Sequence, residues 1–248
     1  MENHNAMFWE VEGERVRCLL CPHRCLIKDG ERGICQVRYN DGGVLKTLVF
    51  SKIAAAHLDP IEKKPFFHFF PGSKSFSIAT VGCNFRCIFC QNWSLSQAPK
   101  EEGSIYGEEL TPENIVNYAK IYNCKSISYT YSEPTIYYET AYETSKIAKE
   151  EGLYNNFVTN GFIEKEPLLN LKGLLDAANV DLKSFSENFY KKYCGGKLTP
   201  VLETLKRMKE IGIWVEVTTL LIPTLNDSEG EIRDIARFIK NELGQDTP

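Results

Sequence analysis

From position 76 to position 243 the chain alternates short β-branched runs with longer helical patterns, and this alternation constrains the fold more than any other feature. The runs are "FSIAT" (76–80), "SISYTY" (126–131), "NNFVT" (155–159), "ANVDL" (178–182) and "WVEVTTLLI" (214–222). Between and after them helices are predicted over 111–122, 134–151, 165–175, briefly after Ser186, over 199–211 and over 228–243. Thr111 before Pro112 and Thr199 before Pro200 read as N-caps followed by proline at the first helical position, and Gly152, Gly212 and Gly244 stand where helices stop. Strand–helix–strand succession joins parallel strands by right-handed crossovers, so the prediction is an α/β fold with a parallel sheet. Periodicity leaves an open doubly wound sheet and all or part of a barrel both standing.

Polar residues recur at the same end of these strands: Cys83, Cys87 and Cys90 after the first, Ser132 and Glu133 after the second, Thr159, Asn160 and Gly161 after the third. Asp181 and Lys183 follow around the fourth, and Thr218 and Thr219 along the fifth. In parallel α/β folds the carboxyl ends of the strands form the ligand face, so these separate stretches converge on one pocket.

The stretch "TVGCNFRCIFCQNW" (80–93) narrows the chemistry. A structural zinc takes four protein ligands, and a cubane iron–sulfur cluster that only carries electrons takes four thiolates. Three thiolates at C-x3-C-x2-C leave one iron open to a ligand. With nine cysteines, an odd number, and a start too charged for a signal peptide, metal ligation in a reduced cytosol is favoured over a disulfide framework. A net charge of −4 without a basic block argues against nucleic acid, and no apolar run is long enough for a membrane span.

The triad, with Phe89 before its last cysteine, resembles the signature of the radical S-adenosylmethionine (AdoMet, SAM) superfamily. That resemblance implies a partial (β/α) TIM-like barrel and a [4Fe-4S] cluster whose open iron is chelated by AdoMet. It also implies reductive cleavage to a 5′-deoxyadenosyl radical that abstracts hydrogen from a substrate. "YTYSEPT" (129–135) stands at the family's GGEP turn, with Glu133 matching the acid that holds the AdoMet amino group and Tyr131 and Ser132 replacing the glycines. "VTNG" (158–161) and "VDLKSF" (180–185) resemble the stretches that line the ribose and methionine ends in glycyl-radical-enzyme activases, which makes Thr159, Asn160, Asp181 and Lys183 cofactor-binding candidates. Each also has a purely structural reading, Glu133 as an acid at a helix start and Asp181 with Lys183 as an ion pair.

A second constellation, Cys18, Cys21, Cys25 and Cys35, is sufficient for a closed tetrahedral site holding zinc or a second cluster, with His23 as a substitute ligand. Cys124 and Cys194 lack such company, Cys194 standing near the pocket in "KKYCGGK". In "LDPIEKKPFFHFFPGS" (58–73), Phe66, Phe67, Phe69 and Phe70 are expected to pack on the first strand, and Asp59, Glu62, Lys63 and Lys64 to form a solvated charge run, with a place facing the pocket as the alternative. This stretch, both cysteine constellations and "YTYSEPT" together resemble the radical SAM enzyme of the AmmeMemoRadiSam system, related to pyruvate formate-lyase activating enzymes. The resemblance implies Memo-like and AMMECR-type partners and an electron donor such as flavodoxin or ferredoxin. It also implies that a Trp-His motif and a further strand would follow position 248, so the sequence reads as truncated. The expected division is a Cys-rich extension and connector over 1–72 and the partial barrel over 73–248. Activation of a partner protein and modification of a small molecule both remain open, and a metal-binding electron carrier or scaffold is the alternative of another class.

Overall fold

The structure, a computed structural model, describes residues 4–248. Seven short strands open the chain: β1 His4–Asn5, β2 Trp9–Glu12, β3 Arg15–Cys18, β4 Leu26–Lys28, β5 Arg38–Asp41, β6 Val44–Thr47 and β7 Lys52–Ile53. Next come β8 Ala55–Pro60, β9 Lys74–Ala79, α1 Trp93–Glu101, β10 Glu108–Glu109, α2 Pro112–Ile121 and β11 Ser126–Tyr129. The remainder is α3 Tyr138–Glu150, β12 Tyr154–Thr159, α4 Lys165–Asn170, β13 Ala177–Asp181, α5 Glu187–Phe189, α6 Leu198–Glu210, β14 Trp214–Thr218 and α7 Glu229–Phe238. The main sheet runs β14-β13-β12-β11-β9-β8, its five inner crossover strands parallel and β8 an antiparallel edge that sequence reasoning did not find.

The five expected strands are all present, and three of the expected caps hold: Thr111 Oγ1 accepts from Asn114 N at 3.4 Å, and Gly152 and Gly212 take left-handed φ of 74° and 85° after α3 and α6. Ser228, expected only as a helix start, also caps α7, its Oγ accepting from Glu231 N at 3.3 Å. Thr199 is not a cap. Glu187 accepts a hydrogen bond from Leu198 N at 2.9 Å, so α6 starts a residue early on a borrowed carboxylate. The helix expected over 165–175 ends at Asn170, and the one over 134–151 begins with a 3-10 turn at Pro134–Tyr137.

Period-2 alternation gives the sheet two different faces. Phe76, Ile78, Ile127, Phe157, Val180 and Val215 build the apolar core toward the helices, whereas the other face carries buried Ser75, Ser77, Ser128, Asn156 and Asn179. These are tied to each other and to the chain, with Ser75 Oγ 2.6 Å from Ser128 Oγ and Asn179 Nδ2 donating to Pro65 O at 3.1 Å. Residues 61–72 close the bottom of this polar face. Glu216 of β14 accepts from the backbone N–H of Phe67, His68 and Phe69, which clamps that segment in place.

Two expectations for this stretch are overturned. Phe66 is buried with Ile61 and Ala177, and Phe69 and Phe70 meet Tyr154 at centroid distances of 5.9 and 4.5 Å, so the aromatics plug the starts of β12 and β13 rather than the first strand. Phe67 is exposed. Asp59 and Lys64 are not a solvated run either: they are only 4% and 1% exposed and pair at 2.7 Å under the pocket. Lys63 also reaches Asp59, and Glu62 accepts from Gly72 N.

The amino-terminal strands form two small antiparallel sheets, β2-β3-β4 and β1-β6-β5. They share one continuous apolar core with the main sheet, Val16, Leu20, Val37 and Leu45 packing in the same cluster as Ile78 and Tyr138. Against α3 they add the buried Arg38–Glu139 pair and the Phe8–Tyr138 edge contact. On the open side of β14, Val217 N donates to Pro248 O at 2.9 Å. No described helix is long and apolar enough to cross a membrane.

Candidate active site

The loop after β9 carries Cys83, Cys87 and Cys90, and all three line a cavity of about 440 Å3 at the carboxyl ends of the parallel strands. This volume is in the range that holds small-molecule ligands. The loop is fixed from several sides. Gly82 takes φ of 104°, and a Cβ there would lie 2.8 Å from Val37 Cγ1, so only glycine fits between the strand and the amino-terminal unit. Lys100 Nζ and Gln97 Nε2 of α1 both donate to Phe85 O, at 2.7 and 3.1 Å. From the far side, Arg86 N and Ile88 N donate to Cys194 O and Tyr193 O at 2.8 and 3.0 Å, and Gly196 has no room for a Cβ beside the Phe85 ring.

Helix α1 and this Tyr193–Gly196 cradle were missed from sequence. The Gly195-Gly196 pair was the available signal for a close backbone approach. Cys194 is fully buried beside Cys87 and is not part of the cavity lining. Burial, reinforced by Glu133, pushes the Cys83 thiol well up, while the neighbouring Cys194 thiol and then burial do the same for Cys87. Metal ligation reverses that preference by deprotonating the thiol. Lys100 near Cys83 and Lys183 near Cys87 are the cations placed to favour the thiolates. No three His, Cys, Asp or Glu side chains among the described residues converge to single-ion distance, at the triad or elsewhere; what suits the triad to a larger, multinuclear group is the width of the cavity that its thiols line.

Glu133 is 2% exposed and already holds four hydrogen bonds. Oε1 accepts from Thr135 N, Thr135 Oγ1 and Thr159 Oγ1 at 3.0, 2.6 and 2.7 Å, and Oε2 from Asn160 N at 2.8 Å. Burial raises its pKa, and these donors only partly offset the rise. The carboxylate therefore ties the β11 turn to the end of β12 while still lining the cavity with one oxygen half-used. Asn160 passes the connection on, donating to Asn84 Oδ1 at 2.8 Å inside the triad loop.

Tyr131, which replaces the first glycine of the family's turn, adopts φ of 60°, a left-handed conformation held here with a side chain present. Its hydroxyl donates to Asp59 and its ring lies 3.9 Å from Lys64 Nζ, which holds the strained residue in place. Ser132 lines the cavity with its buried Oγ lacking any partner. Asp181 and Lys183 also line it and pair at 2.8 Å, so the ion-pair reading and the pocket reading are both true of them. Burial works against the Lys183 charge, but Asp181 and Cys87 together hold its pKa raised. Thr159, Asn160, Thr218 and Thr219 complete the rim with the residues of the loops.

His23 borders the cavity shared by the four amino-terminal cysteines, and its Nε2 meets Asn84 O at 2.8 Å, which ties the ring to the triad loop and leaves Nδ1 unused by that contact.

Residues 77–239 match the sequence profile of the Radical SAM superfamily. An uncharacterized protein of Methanocaldococcus jannaschii is 52% identical over 98% of this chain, which spans 72% of that protein. The pyruvate formate-lyase-activating enzyme of Clostridium pasteurianum is 28% identical over 64% of this chain and 67% of its own length. Among solved structures, Streptococcus suis SuiB bound to S-adenosylmethionine superposes with a TM-score of 0.53 at 16% identity, covering 66% of this chain and 37% of SuiB, a likeness of fold. With the profile covering most of the sheet and all three cavity-lining cysteines, the chain belongs to the radical SAM superfamily and is related to the activating enzymes within it.

Proposed function

We propose that Cys83, Cys87 and Cys90 hold a [4Fe-4S] cluster and that the rest of the cavity binds AdoMet for hydrogen abstraction from a protein or small-molecule substrate. The observation that carries this reading is that Cys83, Cys87 and Cys90 line the cavity while Cys194, the neighbour of Cys87, does not. A three-thiolate site leaves one iron for AdoMet, whereas an electron carrier would use four. Such a cluster, when bound and reduced, would supply the electron for reductive cleavage of the AdoMet sulfonium.

The chain's own residues bind and orient. Glu133, with Asn160 and Thr159 fixed on it, offers a carboxylate oxygen to an ammonium group, and the unpartnered Ser132 Oγ offers a further polar contact. Asp181 and Lys183 present opposite charges to the ribose and methionine ends. Lys100 and Lys183 offset negative charge at the triad. The floor built from Asp59, Lys64 and Tyr131 closes the chamber below and keeps water from the reacting centre.

The parallel sheet with its polar face supports a partial TIM-like barrel over 73–248, with β8 of the preceding Cys-rich unit (1–72) added at its edge. Nine free cysteines fit a reducing cytoplasm, where flavodoxin or ferredoxin would deliver the electron. The AmmeMemoRadiSam assignment, with Memo-like and AMMECR-type partners, rests on the order of motifs along the chain.

The test is anaerobic reconstitution followed by AdoMet addition to the reduced protein. The paramagnetic spectrum should change and 5′-deoxyadenosine should form. Alanine at Cys83, Cys87 or Cys90 should abolish both, and an AdoMet response surviving the triple replacement would refute the proposal.

A further inference from the structure

The four amino-terminal cysteines lie outside the site just described, and the structure brings them together. Cys18 at the end of β3, Cys21, Cys25 before β4, and Cys35 all border one small cavity of about 10 Å3. That is about the space of a single water molecule, against about 440 Å3 beside the triad, so it suits one ion and not a cubane.

Two features mark this cavity as an anion-holding site. Ile34 N donates to Cys25 Sγ at 3.4 Å, so one of the four sulfurs already serves as an acceptor. Arg38, 1% exposed, borders the same cavity; its two terminal nitrogens bond Met7 O and Glu139, but its buried Nε has no partner. An unpaired donor on a buried cation is costly, and an anionic tetrathiolate centre beside Arg38 would supply opposite charge. Gly33 leaves the room for this arrangement, since a Cβ there would be 3.2 Å from Ile27 Cδ1 and 3.5 Å from Cys25 Sγ.

We propose that Cys18, Cys21, Cys25 and Cys35 bind a single zinc-class ion in a closed tetrathiolate site. The thiols do not stand at ion-binding distance among the described residues, so the ion draws the shell together instead of entering a finished one. Soft thiolate ligands and tetrahedral closure select zinc over magnesium or calcium. The ion is structural, and its effect reaches the triad through contacts on either side of it. His23 meets Asn84 O, Leu20 O accepts from Glu164 N at 3.0 Å, and Cys35 O lies 3.4 Å from where a Cβ on Gly82 would stand. Tightening the knuckle therefore holds the loop between Cys83 and Cys87 in place.

The experiment uses the full chain with Cys83, Cys87 and Cys90 changed to alanine, so that no iron at the triad interferes. Metal analysis should find about one zinc per chain, and cobalt substituted for it should give the intense absorption of a tetrahedral tetrathiolate ion. Cys21→Ser and Cys35→Ser should each lose the cobalt spectrum. Zinc near zero in the folded parent, or several irons with sulfide in its place, would overturn the proposal. Because the parent keeps all four amino-terminal cysteines, its result does not depend on whether the serine variants fold, nor on AdoMet chemistry at the triad.

Discussion

Glu133→Gln is the substitution that separates a cofactor contact from a structural tie. The amide oxygen can still accept from Thr135 and Thr159, but the new NH2 meets the Asn160 N–H that Oε2 now accepts at 2.8 Å. One buried donor loses its acceptor, a cost of about 1–3 kcal/mol. Against this, the variant no longer buries a carboxylate whose ionised form burial disfavours, so the net loss of stability should be about 1 kcal/mol or less. AdoMet binding is affected more. Losing a charge-assisted hydrogen bond to an ammonium removes about 1.5–3 kcal/mol, or about ten- to 150-fold in affinity. The pH dependence has a definite sign: Glu133 has a raised pKa, so wild-type affinity should fall as pH drops through it, and the variant should lack that fall. Equilibrium binding of AdoMet to reconstituted protein between pH 5 and 8, beside thermal melts, reads both effects. Unchanged AdoMet affinity with a lowered melting temperature would refute the reasoning and leave Glu133 as the tie between the β11 turn and Asn160.

Two further substitutions test the surroundings. Cys194→Ala should keep a cluster that responds to AdoMet while losing about 1 kcal/mol of stability from a buried site, and loss of iron comparable to the triad variants would make Cys194 a ligand instead. Asp59→Asn should cost about 3 kcal/mol, because Lys64 is left buried without its counter-charge. Burial opposes the Asp59 charge, but Lys63, Lys64 and Tyr131 together hold its pKa well below the ordinary value; its contribution is thus complete above the unfolded pKa of about 4 and lost as pH falls below it. The melting gap between wild type and variant should be constant from pH 5 to 8 and narrow in acid, and a gap independent of pH down to 2 would contradict this account.

The parallel sheet was legible because each strand carries its own local signal, and the pocket because polar residues recur at the strand ends. What sequence did not show depends on contacts far apart in the chain. Asp59 and Lys64 look like surface charges in "LDPIEKK", and only the pairing of β8 with β9 and the left-handed turn at Tyr131 bring them under the cavity. Helix α1 was hidden because it contains Pro99 and has a weak start at Asn92, which makes no side-chain cap; it is held instead by Lys100 and Gln97 reaching Phe85 O. Thr199 shows the reverse failure, a good local cap signal displaced by Glu187, which accepts from Leu198 N eleven residues on.

These misses share a physical cause that bears on how the site works. The triad loop makes few regular backbone bonds of its own, so its shape is imposed by neighbours: α1 above, Tyr193 and Cys194 behind, Asn160 in front, and His23 with Val37 at the side. A loop braced in this way keeps its three thiols apart and facing inward without a fourth ligand to close the set. The bracing residues come from both sides of the loop in sequence, from His23 to Cys194, and the core beneath them is continuous. Loosening the amino-terminal unit should therefore be felt first at Asn84 and Gly82, the points where it touches the loop, before the parallel sheet itself yields.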